Sequence, residues 1–116
     1  MQQRVSIARA LASEPQLLLM DEPFASVDAQ TRSDLEDLVL SIRAEHGVTV
    51  LLVTHDIDES VYLSDRVVAL GGTPAHVTEV MNVSLPAPRS QHNTKADPRF
   101  AELRTRVLER IRRATT

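Results

Sequence analysis

The sequence predicts an α/β fold in which parallel core strands are flanked by helices. Two apolar runs, Leu17–Met20 and Val48–Thr54, are broken by almost nothing polar, and a segment of helical spacing lies between them. Runs of this kind suit strands buried on both faces, as in a parallel sheet covered by helices. Strand, helix and strand in that order make a βαβ unit with a right-handed crossover. The first run also ends abruptly in two acids, Asp21 and Glu22, at the strand end where open α/β sheets bind ligands.

Taken in order, residues 1–12 read as a helix, with Met1, Val5, Ala8, Leu11 and Ala12 on one side and Gln2, Gln3, Arg4 and Arg9 on the other. No Ser, Thr, Asp or Asn precedes it as a cap, so the helical pattern begins without its entry. Ser13-Glu14-Pro15 ends it, and the first strand follows. Pro23 turns the chain out of that strand because it has no N–H to give a ladder. Asp28 is placed to cap a helix from Ala29 to Glu45, whose stripe is Leu35, Leu38, Val39 and Ile42, with Asp34, Glu36, Asp37 and Arg43 outside it. Gly47 suits the position after that helix, and the β-branched second strand begins at Val48.

Beyond Thr54-His55-Asp56, a short helix gains an apolar side from Ile57, Val61 and Leu63. Asp56, Asp58 and Glu59 suit its positive N-terminal end. Asp65–Leu70 reads as a strand closed by the Gly71-Gly72 turn, and His76–Leu85 as its hairpin partner, packing through Val77, Val80 or Met81, and Val83. Residues 86–96 are rich in Pro and polar groups and read as an extended linker. Asp97-Pro98 opens a final helix with the stripe Phe100, Leu103, Val107 and Ile111.

Composition narrows the function classes. With 116 residues, 42% hydrophobic and 25% charged, the chain has the make-up of one globular domain or part of one. A net charge of −3 gives no reason to expect nucleic acid, although six arginines against three acids make the stretch from Asp97 onward a basic helix on an acidic body. The absence of cysteine excludes disulfides and thiolate metal sites, and 3% aromatic residues argue against base-stacking platforms. No apolar run reaches membrane-span length.

The chemistry centres on Asp21, Glu22 and His55. One carboxylate can hold a hydrated Mg²⁺, and the other can orient or deprotonate a water that attacks a phosphate. His55 ends the second strand as the acids end the first, so adjacent parallel strands would bring all three to one rim, where an imidazole can meet a terminal phosphate. The plainer readings are a solvated acidic turn for the doublet and a helix-start residue for His55. His46, His76 and His92 read as surface residues, since no ligand spacing recurs.

Four motifs resemble those of ABC transporter ATP-binding subunits in type, order and spacing: Gln2-Gln3-Arg4, Leu17 to Pro23, Ala25-Ser26-Val27-Asp28, and Thr54-His55-Asp56. The resemblance runs from Met1 to roughly Leu70. Leu85-Pro86-Ala87-Pro88-Arg89 and Asp97 to Arg104 are similar to importers of the nitrate, sulfonate and taurine group. It implies the C-terminal part of a P-loop NTPase domain: a core over 1–85 lacking the phosphate-binding loop, a linker over 86–96, and an amphipathic helix over 97–116.

The resemblance also implies roles. Asp21 would hold Mg²⁺ through water, Glu22 would be the general base, and His55 would sense the γ-phosphate. Ser26 and Asp28 would reach the opposite site of a dimer, and Gln3 and Arg4 would end the signature segment facing the partner's nucleotide. The implied cofactors are ATP and Mg²⁺. The implied partners are a second ATP-binding subunit, a transmembrane permease and, indirectly, a solute-binding protein, which puts the subunit in the cytoplasm on the inner face of the membrane. No G-x-x-x-x-G-K-[ST] occurs, and Gly47, Gly71 and Gly72 cannot build one, so the chain alone is expected to bind ATP weakly and to be inactive. Two other readings fit the same residues: a non-catalytic module that dimerises or docks on a permease, and part of an ABC-type DNA repair or chromosome ATPase.

Overall fold

A computed structural model describes the backbone over 2–115 and side chains over 7–113. The elements are α1 (Gln2–Leu11), β1 (Leu17–Asp21), α2 (Ala29–His46), β2 (Thr49–Val53), α3 (Ile57–Leu63), β3 (Arg66–Gly71), β4 (His76–Asn82), α4 (Asn93–Ala96) and α5 (Pro98–Thr115). They form two compact units that divide between His55 and Asp56.

In the first unit β1 and β2 pair in parallel, in register from Leu17 opposite Thr49 to Asp21 opposite Val53, as the βαβ reading requires. Helix α1 is closed by Glu14, which adopts a left-handed φ of 51° and donates its N–H to the Leu11 carbonyl. Helix α2 has the expected ends: the Asp28 carboxylate accepts from the Thr31 N–H at its start, and Gly47 stops it at φ 62°, where a side chain would be strained. Leu35, Val39 and Ile42 are buried as the stripe predicts. Glu36 is buried too, against expectation, because it lies on the helical edge shared with Val39 one turn on.

The expectation of strands covered on both faces is not met. Leu18 and Met20 are buried, but Leu17 and Leu19 are 56% and 64% exposed, and Leu51 and Val53 are 53% and 46% exposed. An all-apolar run carries no alternation, so it cannot reveal that only one face is covered.

The second unit holds the antiparallel pair β3–β4 with α3, α4 and α5. Leu70 lies opposite Val77 and Ala69 opposite Glu79, so Thr78 is an extra residue bulged out of the ladder. The bulge reverses the facing of the strand. Val77, expected to pack, lies on the exposed face with Val68, Leu70 and Val80, whereas Met81, the other choice beside Val80, and Val83 are buried as expected. Residues 86–96 are not extended throughout, because Ser90 ties down the start of α4: its N–H donates to Thr94 Oγ1 at 2.8 Å, its Oγ accepts from the Asn93 N–H at 3.0 Å and its carbonyl from the Thr94 N–H at 3.0 Å.

Helix α5 lays Phe100, Leu103 and Val107 into the core of this unit, where it meets β3 and α3. Arg104 bonds Asp58 at 2.7 Å and Arg110 pairs with Glu79, so part of the basic charge is answered within the unit. Arg89 is the buried cation of the linker. Its guanidinium, with the side chain only 6% exposed, donates to the carbonyls of Tyr62 at 3.0 Å and Ser64 at 2.6 Å, closing the C-terminal end of α3. Loss of charged hydrogen bonds of this kind costs about 1.5–3 kcal/mol, so Arg89→Ala should lower the urea midpoint with little change in slope.

Candidate functional site

The site is built by the ends of β1 and β2. Asp21 is the last residue of β1 and is exposed on the open side of the pair, with Leu17 and Leu19. The next residue leaves the strand by a different backbone. Glu22 sits at φ 50°, in the left-handed region that suits few residues other than glycine. It is held there from two sides: its N–H donates to the Val53 carbonyl at 2.7 Å, and its carboxylate meets the His55 ring.

That second contact joins Glu22 Oε1 to His55 Nδ1. Strand β2 ends at Val53, so two further residues carry His55 to the same rim as the acids. The imidazole side chain is 95% exposed. With Nδ1–H given to the carboxylate, Nε2 is the accepting nitrogen of the neutral ring and becomes a second donor when the ring is protonated. The structure therefore brings Glu22 and His55 into contact and sets Asp21 beside Glu22 in sequence at the strand end.

A left-handed glutamate is costly unless its surroundings fix it. Glu22→Ala and Glu22→Gly both remove the carboxylate and differ in backbone cost. The glycine variant should be the more stable of the two by about 0.5–1 kcal/mol in urea unfolding, because only alanine keeps the strained φ.

The other expected positions are resolved unequally. Ser26 is exposed in the loop before α2. Asp28, also exposed, caps α2 by accepting from the Thr31 N–H at 2.9 Å. The Thr31 side chain and backbone N–H both hold the Asp28 carboxyl below the usual carboxylate range. A depressed folded-state value stabilises the folded form above the unfolded value and loses that contribution as pH falls through the folded one. Asp28→Asn should therefore keep most of the thermal stability that Asp28→Ala loses, and the gap between wild type and Asp28→Ala should close in strong acid. Gln3 and Arg4 lie on α1, but their side chains fall outside the described residues.

Loop 22–28 also contains a contact the motifs did not indicate: Arg32, in the first turn of α2, donates to the Phe24 carbonyl at 3.3 Å. A cation at the positive end of a helix was the available signal.

Among the described residues, no group of three or more His, Asp or Glu is gathered to hold a metal ion, and no helix is long and apolar enough to cross a membrane. A lone exposed Asp21 fits a Mg²⁺ that keeps most of its waters and arrives with phosphates, since this ion needs few protein carboxylates.

A family model described as ABC transporter matches residues 1–25. The aliphatic sulfonates import ATP-binding protein SsuB 1 of Pseudomonas savastanoi pv. phaseolicola is 48% identical over 114 residues, covering 98% of this chain and 46% of that protein. The chain belongs to the ABC transporter family of ATP-binding proteins. The nitrate transport protein NasD of Klebsiella oxytoca is 47% identical over 109 residues, 93% of this chain and 42% of its own length. The bicarbonate transport ATP-binding protein CmpD of Synechococcus elongatus is 43% identical over 110 residues, 94% of this chain and 40% of its own. The chain thus spans about half the length of these relatives. Its parallel strands with flanking helices and its final helix agree with the α/β fold of this family's ATPase domain.

Proposed function

We propose that this chain supplies the catalytic rim of an importer ATPase that couples ATP hydrolysis to uptake of a small solute. The observation that carries the reading is the contact between Glu22 and His55 at the shared end of two parallel strands. The relatives' names, for sulfonate, nitrate and bicarbonate, support a small anionic solute.

In this reading Glu22 accepts a proton from, or orients, the attacking water. His55 keeps Nδ1–H on the Glu22 carboxylate and, in its protonated form, donates Nε2–H to the terminal phosphate. Asp21 holds the waters of Mg²⁺, which when bound neutralises charge on the phosphates. Ser26 and Asp28 serve the opposite site of a nucleotide-sandwich dimer, and Gln3 and Arg4 end the segment that faces the partner's nucleotide. The partners are a second ATP-binding subunit and a membrane permease, on the cytoplasmic face of the membrane. No stretch of this chain supplies the phosphate cradle, so the chain alone should turn over negligibly.

A chimera provides the test. The matched segment of the Pseudomonas sulfonate importer subunit is replaced by this chain, and phosphate release from Mg–ATP is measured. The chimera should release phosphate while the isolated chain does not exceed its own Glu22→Gln variant. A well-folded chimera without activity, or robust Glu22-dependent release by the chain alone, would contradict this division of labour.

A further inference from the structure

We infer that Arg32 is a positioning residue that holds Glu22 toward His55. The inference rests on the reading of that pair as a working unit. The loop from Glu22 to Asp28 is tied internally by two long backbone bonds, Ala25 N–H to the Glu22 carbonyl and Val27 N–H to the Phe24 carbonyl, each 3.4 Å. Bonds of this length lie beyond the usual range and hold a turn weakly. Yet the loop must keep Glu22 in a backbone conformation that glutamate disfavours.

Beside the Val53 bond and the His55 contact at Glu22 itself, two features restrain the loop that follows it. The Phe24 ring is 1% exposed and anchors the middle of the loop in the core. The Phe24 carbonyl also accepts from the Arg32 guanidinium at 3.3 Å, a bond nearly as long as the loop's own but from a charged donor, and the Arg32 backbone N–H gives α2 its bond to the Asp28 carbonyl at 2.9 Å. Arg32 therefore ties the loop to the rigid start of α2 through both its main chain and its side chain. The placement runs against the helix dipole, which disfavours a cation in the first turn, so helix stability alone gives no reason for an arginine there. A turn fixed at Phe24 fixes the exit of Pro23, and with it the direction in which the Glu22 carboxylate leaves the strand end.

The test uses the isolated chain and no nucleotide. The His55 ring Cε1–H signal is followed by ¹H–¹³C NMR at one fixed pH in wild type and in Arg32→Ala, Arg32→Lys, Glu22→Gln and the Arg32→Ala/Glu22→Gln double variant, with thermal melts on each. Arg32→Ala should move the His55 signal at least half as far as Glu22→Gln does. Arg32→Lys, which keeps a charged donor, should return most of it, and the double variant should match Glu22→Gln alone. A purely structural arginine would lower the melting temperature and leave His55 at its wild-type position, which overturns the inference. Should Arg32→Ala fail to fold, Arg32→Lys alone decides: a partial shift of the same sense supports the inference, and none overturns it. If Glu22→Gln itself leaves His55 unmoved, the pair does not exist in solution, and the site reading falls together with this inference.

Discussion

Phe100→Ala is expected to destabilise the second unit more than any other single change considered, by about 3–5 kcal/mol. The ring is fully buried on α5, the helix that meets both β3 and α3. Truncation there removes a large apolar surface and leaves a cavity between three elements that cannot all close on it. A loss of that size is a large fraction of the roughly 5–15 kcal/mol that holds a domain together. Urea unfolding followed by circular dichroism should show the second unit melting early, with unit 1 strand signals retained in amide exchange. Ile111→Ala is the control: the residue is 38% exposed at the end of the same stripe and should cost well under half as much. Equal losses from the two variants would mean that α5 is not packed through Phe100.

Glu22→Gln should have the largest effect on chemistry. In the chimera it should lower kcat by about 10²–10⁴-fold, the usual contribution of a positioned base, with little change in the KM for ATP. Glutamine is nearly isosteric, so the side chain still fits the turn, but it neither accepts a proton nor pairs as strongly with the imidazole. His55→Ala should also lower kcat, and the double variant should fall no further than the worse single one, because two groups acting as a unit do not add. Additive losses would separate the two residues into independent roles.

The placement of the candidate rim was legible in the sequence, for a reason that also sets the limit. Asp21, Glu22 and His55 stand where long apolar runs stop, so strand ends and their polar residues could be placed from composition alone. The parallel pairing, the Asp28 cap and the Gly47 stop followed from equally local rules. What escaped depends on neighbours distant in sequence or on uniform patterns. Leu17 and Leu19 read the same as Leu18 and Met20, yet lie on the open face. The bulge at Thr78 carries no glycine or proline to announce it, and it turned Val77 away from the face that buries Met81 and Val83. Arg89 sits in a proline-rich stretch that looked like plain linker, although its partners, Tyr62 and Ser64, lie more than twenty residues earlier. The tail is consequently part of the second unit's core and not an appendage to it.

The most direct test is to titrate the isotope-labelled chain with Mg–ATP and, separately, with Mg–ADP at equal millimolar concentration. Binding without a phosphate cradle will be weak, and NMR shifts register weak binding. ATP should perturb the Asp21 and Glu22 amides and the His55 ring more strongly than ADP does, because only ATP brings a terminal phosphate to that rim. Equal responses to both nucleotides there, or responses confined to the arginines of α5, would contradict it.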